Sequence, residues 1–115
     1  MQTGLSLLIA CLCAAAPVAA QEAGEQVFRQ RCSACHTVDG KSRVGPTLQG
    51  VFGCAAGSTD YRYSNGMADS GLTWNAETLD AFLANPREVV PGTRMSIRLS
   101  DAEDRAEIIG FLEAQ

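Results

Sequence analysis

The chain has 115 residues, 46% of them apolar and 19% charged, with a formal charge of −4. This length accommodates one small domain, which can bury only a limited apolar surface. Nine basic residues against thirteen acidic ones, with Lys41 the single lysine, give no support to nucleic-acid binding.

The first twenty residues differ in character from the rest. Met1 to Ala20 carries no charged side chain, and an apolar stretch from Leu5 to Ala16 leads into Pro17-Val18-Ala19-Ala20. Val18 and Ala20 are small residues placed as a signal peptidase requires, so the expected organisation is a signal peptide over 1–20, cleaved after Ala20, and one domain over 21–115. The apolar run falls short of the about 20 residues a bilayer-spanning helix needs, so no stable membrane insertion is expected. Two details depart from the usual pattern. Met1-Gln2-Thr3 lacks a lysine or arginine, and Leu8-Ile9-Ala10-Cys11 resembles a lipidation box that would leave only ten residues ahead of the modified cysteine. The compartment read from this leader is the periplasm.

Gln21 to Gly24 reads as a short lead-in. From Glu25 the apolar spacing of Val27, Phe28, Cys32 and Cys35 is helical, so an N-terminal helix should close on the pentapeptide Cys32-Ser33-Ala34-Cys35-His36. Two thiols three positions apart, followed at once by an imidazole, form the attachment pattern of a c-type haem. Each thiol adds across a vinyl group to give a thioether, and the adjacent imidazole ligates the iron. His36 is the one histidine of the chain, so any imidazole site must be built here. Three cysteines, Cys32, Cys35 and Cys54, lie in the 21–115 region, and an odd number in an exported protein argues against a disulfide framework.

Thr37 to Gly53 and then Ala55 to Gly71 are glycine-rich and read as loops and turns. Asn75 is expected to cap a helix through Ala84, with Leu79, Phe82 and Leu83 as its apolar face and Pro86 ending it. Ser100-Asp101-Ala102-Glu103 fits a capping box for a last helix whose apolar face would be Ala102, Ala106, Ile109 and Leu112. The fold class is therefore all-α: three to four helices with long loops around one covalently attached haem. Loops of this length are uncommon in a compact domain unless something large organises them. A macrocycle would do so.

Beyond the pentapeptide, five further blocks occur in order: residues 44–53, 61–64, 71–74, 82–86 and 91–95, the last reading Pro91-Gly92-Thr93-Arg94-Met95. With these the chain resembles the class I c-type cytochromes, mitochondrial cytochrome c and its soluble bacterial relatives among them. The resemblance runs from Gly24 to Leu112. It implies thioethers at Cys32 and Cys35, and one haem c whose iron is held by His36 and Met95. It also implies a Pro46 carbonyl fixing the His36 tautomer, Tyr63 and Trp74 bonded to a buried propionate, and Thr93 steadying the Met95 loop. Gly24 and Phe28 should pack on Ile108 and Phe111.

The implied function is one-electron transfer rather than catalysis: a monomeric carrier between membrane or periplasmic redox proteins, such as those of a respiratory chain. A dedicated haem subunit of a dehydrogenase or oxidase is the alternative, as is a peroxidase or gas-binding protein should Met95 ligation be labile. Three positions and one surface feature depart from the family pattern. Cys54 stands where an arginine is usual beside the propionates, which lowers the expected potential unless Arg43 or Arg62 substitutes. Phe82 replaces a tyrosine and Met67 an asparagine, which makes the distal side more apolar and pushes the potential the other way. The lysine ring facing acidic partners is reduced to Arg43, Arg87, Arg94 and Arg98.

From the residues themselves, other readings stand beside these. Cys32, Cys35, Cys54 and His36 make up a zinc-type donor set, although neighbouring Cys35 and His36 converge poorly on one ion. Cys32 and Cys35 also match a thioredoxin-like pair, which needs a strand–helix framework. Met67 competes with Met95 as sulfur donor. Tyr63 and Trp74 serve equally as core aromatics, Cys54 as a small buried hydrophobe, and 101–113 as a solvated helix face.

Overall fold

The computed structural model describes residues 18–115, so the apolar part of the expected signal, residues 1–17, lies outside the described residues. Five helices follow in order: α1 (Val18–Arg31), α2 (Asn65–Ala68), α3 (Ala76–Ala84), α4 (Pro86–Val89) and α5 (Ala102–Glu113). Three are helices of nine residues or more, and α2 and α4 are single turns. Among the described residues the only strand-like pairing is one antiparallel bridge between Ala55 and Thr73. The all-α expectation holds, and a thioredoxin-like framework is excluded.

α1 and α5 meet at a close approach of their backbones. A Cβ on Gly24 would fall onto the Glu107 carbonyl oxygen and within 2.6 Å of the Phe111 Cβ, so only glycine allows the two backbones to meet. One turn later Phe28 packs on Phe111 with ring centroids 5.5 Å apart. Val27, Ile108, Ile109 and Leu112 complete this buried contact. The α5 face is thus Ile108, Ile109, Phe111 and Leu112, whereas Ala102 and Ala106, expected to be buried, are exposed. The crossing point sets the face: the helix is rotated to meet Gly24, and its two alanines are left outside.

Helix ends follow local chemistry, in places differently from expectation. α1 is already helical from Val18, ahead of Glu25, with Ala19, Ala20, Gln21, Glu22 and Ala23 as good helix formers. The capping box belongs to α3, not α5. Asn75 Oδ1 accepts from Thr78 N and Thr78 Oγ1 accepts from Asn75 N, both at 2.9 Å. At α5 the cap is Asp101 rather than Ser100, accepting from the amides of Glu103 and Asp104 at 2.8 and 3.1 Å. A carboxylate there also favours the positive end of the helix dipole. Asn85 closes α3, and Pro86 then opens α4 at its first turn, where its missing N–H costs nothing.

Arg105 was expected on a solvated face, and the structure places it otherwise. Its Nε donates to Asp80 of α3 at 2.7 Å, and one terminal nitrogen donates to the Leu99 and Ser100 carbonyls at 2.8 and 3.0 Å. The side chain is only 14% exposed, against 52% for Asp80. One guanidinium therefore ties α3, α5 and the segment between Met95 and α5. Only its fork can serve carbonyls and carboxylate together. Arg105→Gln should lower the unfolding free energy of the holoprotein by about 2 kcal/mol and Arg105→Lys by nearly as much, while Asp80→Asn costs under about 1 kcal/mol, in denaturant titrations.

Candidate haem site

α1 ends at Arg31, and the chain continues through turns that project Cys32, Cys35 and His36. Cys32 N and Ser33 N both donate to Phe28 O, and His36 N donates to Cys32 O, each at 2.9 Å. The pentapeptide is thereby fixed to the helix that docks on α5. All three side chains are half-buried, and both thiols are unpaired. Burial pushes the Cys32 thiol up to about 11, with Cys35 adding to the rise and Arg31 opposing it. The sulfur is held neutral, which is also the charge of a thioether.

A loop from Thr37 to Leu48 orients the imidazole. His36 Nδ1 lies 2.7 Å from the Pro46 carbonyl, which accepts its proton. That bond leaves Nε2 with a free lone pair, and no hydrogen bond among the described residues engages it. Gly45 abuts the ring face: a Cβ there would lie 2.8 Å from Nδ1. Gly45 N donates to Cys35 O at 2.9 Å, and Arg43 donates to Ser33 O at 3.0 Å. Tyr61 donates to Val44 O at 2.6 Å. The imidazole is therefore held by Gly45 and Pro46 of one loop, which is itself tied back to Ser33, Cys35 and Tyr61.

The Met95 side is built from α3, α4 and the segment that follows. Thr93 is buried, its N donates to Val90 O at 3.0 Å, and its Oγ1 accepts from Met95 N at 3.3 Å. Leu99 N returns to Leu83 O at 2.8 Å. Met95 and Met67 are both half-buried against the core, in company with Cys32, Leu48, Val51, Phe52 and Leu83. This shell of partly covered apolar side chains is what a small domain shows where it wraps a flat apolar group.

Trp74 is buried and packs on Phe82 with centroids 5.0 Å apart, and its indole N–H has no hydrogen-bond partner among the described residues. Tyr63 meets the Thr59 hydroxyl at 2.6 Å and stacks edge-on with Tyr61 at 5.1 Å. Cys54, expected to be buried, is exposed, with its sulfur donating to Gly50 O at 3.1 Å. The turn at Gly53, with φ +88, directs it outward ahead of the Ala55–Thr73 bridge. Arg94 reaches the Arg62 carbonyl at 2.7 Å, a tie that sequence reasoning missed because its acceptor is main chain.

Among the described residues no three His, Cys, Asp or Glu side chains gather as a metal cluster, which removes the zinc reading. The donor set fits a haem instead: two unpaired thiols, an imidazole with one nitrogen occupied and the other free, and half-buried thioethers within an apolar shell. Fold and site together define a single-haem, all-helical c-type electron carrier.

The chain belongs to the cytochrome c family, whose model matches residues 21–115. It is 45% identical over 93 residues to a cytochrome c of Tetrahymena pyriformis, covering 80% of this chain and 85% of that one. It is 49% identical over 96 residues to cytochrome c2 of Rhodomicrobium vannielii, covering 80% and 76%. Among solved structures, cytochrome cH from Methylobacterium extorquens superposes with a TM-score of 0.78 at 41% identity, covering 83% of this chain and 98% of that one. The protein carries haem c, moves electrons without catalysing a reaction of its own, and exchanges them with other redox proteins.

A holoprotein spanning 21–115 in which haem attachment consumes Cys32 and Cys35 should react with one equivalent of a maleimide, rapidly, at exposed Cys54. Cys54→Ala should abolish the labelling without bleaching the haem, as read by mass spectrometry and visible absorption.

Proposed function

We propose that the haem is joined through Cys32 and Cys35 and that its iron is ligated by His36 Nε2 and the Met95 sulfur. The haem supplies a one-electron iron couple. The observation carrying this reading is the His36 Nδ1 to Pro46 hydrogen bond of 2.7 Å, which fixes the tautomer and leaves Nε2 as donor. The neutral thioether of Met95 favours the ferrous state and raises the potential, and filling both axial positions keeps substrates off the iron. Thr93 supports this assignment by bonding the Met95 amide. The unpartnered Trp74 indole and the Tyr63 hydroxyl, shared with Thr59, are the donors offered to a propionate.

The reading extends to an exported carrier between membrane or periplasmic redox proteins, working as a monomer. No helix among the described residues is long and apolar enough to cross a membrane. Exposed Val44 and Ile97, flanked in sequence by Arg43 and Arg98, supply the mixture of apolar and basic surface that brief docking to an acidic partner uses. Cleavage after Ala20 follows from the small residues at 18 and 20 and predicts Gln21 as the first residue of the exported protein, checked by intact mass.

The ligand set is tested by spectroscopy of the oxidised holoprotein. A weak absorption band at the red edge of the visible range, from methionine bonded to ferric iron, should be present in the wild type and in Met67→Leu. It should vanish in Met95→Ala, with a lower midpoint potential. Its persistence in Met95→Ala would overturn the assignment.

A further inference from the structure

α2 is wedged between two backbone segments, and glycines permit both approaches. On one side a Cβ at Gly66 would fall onto the Pro91 carbonyl oxygen, with the Pro91 carbonyl carbon at 3.2 Å and Gly92 Cα at 3.5 Å. On the other, a Cβ at Gly57 would lie 3.0 Å from Ala68 Cα and 3.2 Å from Met67 O.

The two supports differ in stiffness. Behind α2, next to Gly57, Ala56 N donates to Leu72 O and Trp74 N to Cys54 O, both at 2.8 Å, around the Ala55–Thr73 bridge. In front stands a single turn, Pro91-Gly92, closed by one 3.0 Å bond from Thr93 N to Val90 O, with Gly92 at φ +86. Bulk added at position 66 therefore displaces the turn rather than the ladder.

That turn leads directly into Met95. Thr93, at its end, holds the Met95 amide, and Arg94 donates to Arg62 O just ahead of α2, so the two segments are joined again. We infer that Gly66, with Arg94 clasping the other end of the same contact, is a positioning residue that sets where the Met95 sulfur stands. This rests on the reading of Met95 as iron ligand. Intrinsic helix propensity favours alanine over glycine at such a position, so the close contact, not the local backbone, calls for glycine here.

The test is competition by added imidazole for the methionine-occupied face of the oxidised holoprotein, followed through loss of the red-edge band. Gly66→Ala should bind imidazole about tenfold more tightly than wild type, equivalent to about 1.4 kcal/mol, and Arg94→Gln about threefold. Gly24→Ala, at the distant α1–α5 crossing, serves as a control for general destabilisation: its melting temperature should fall while its imidazole titration matches wild type. An unchanged titration in Gly66→Ala, or an equal shift in Gly24→Ala, overturns the inference. If Gly66→Ala yields no holoprotein, Arg94→Gln decides, and an unchanged titration there overturns it. Absence of the band from wild type would instead sink the Met95 assignment on which the inference rests.

Discussion

The fold depends on two backbones touching at Gly24. With no Cβ between them, α1 lies against the Glu107 carbonyl, and the Phe28–Phe111 pair seals the contact one turn on. α1 carries the attachment pentapeptide at its end, so the position of this crossing sets where Cys32, Cys35 and His36 leave the helix. α5 in turn holds α3 and the segment after Met95 through Arg105. The two sides of the site are thus referred to one helix pair. Little of the intervening chain is regular, and the apolar shell that includes Cys32, Leu48, Met67, Leu83 and Met95 stays partly open. A flat apolar group completes such a core more readily than the side chains alone can.

The site itself was largely legible in the sequence, because covalent attachment demands a fixed short spacing and an adjacent imidazole. Ordered blocks such as Gly45-Pro46 and Thr93-Arg94-Met95 carried the rest, and the tautomer-fixing bond to Pro46 stands as expected. What the sequence hid were contacts whose partner is main chain. Arg105 looked like one more charge on an outer helix, since nothing in its neighbours announces the Leu99 and Ser100 carbonyls. Arg94 was hidden in the same way. The misplaced capping box has a similar origin. Ser100 to Glu103 matches the pattern, but Asp101 accepts two amides and wins, while Asn75 and Thr78 form the reciprocal pair without a glutamate.

Phe82 and Met67 form a physical group. Phe82 gives up a hydroxyl and stacks on buried Trp74, and Met67 adds a polarizable chain to the same apolar shell. Both make the surroundings less polar, which favours the less charged state of an iron centre. Position 54 carries an exposed cysteine rather than a cation, and Arg43 donates to Ser33. For a haem held as proposed, the apolar packing and the absent positive charge would shift the potential in opposite directions.

The partners in the Gly24 contact lie almost a full domain apart in sequence, and this bears on how the molecule comes into being. Closing so long a loop carries a large entropic toll that local helix formation cannot offset. During synthesis the α1 segment emerges well before α5, so it waits without its mate and the two thiols that follow it stay accessible. Late closure of this kind leaves the chain open to receive its pigment before the architecture locks.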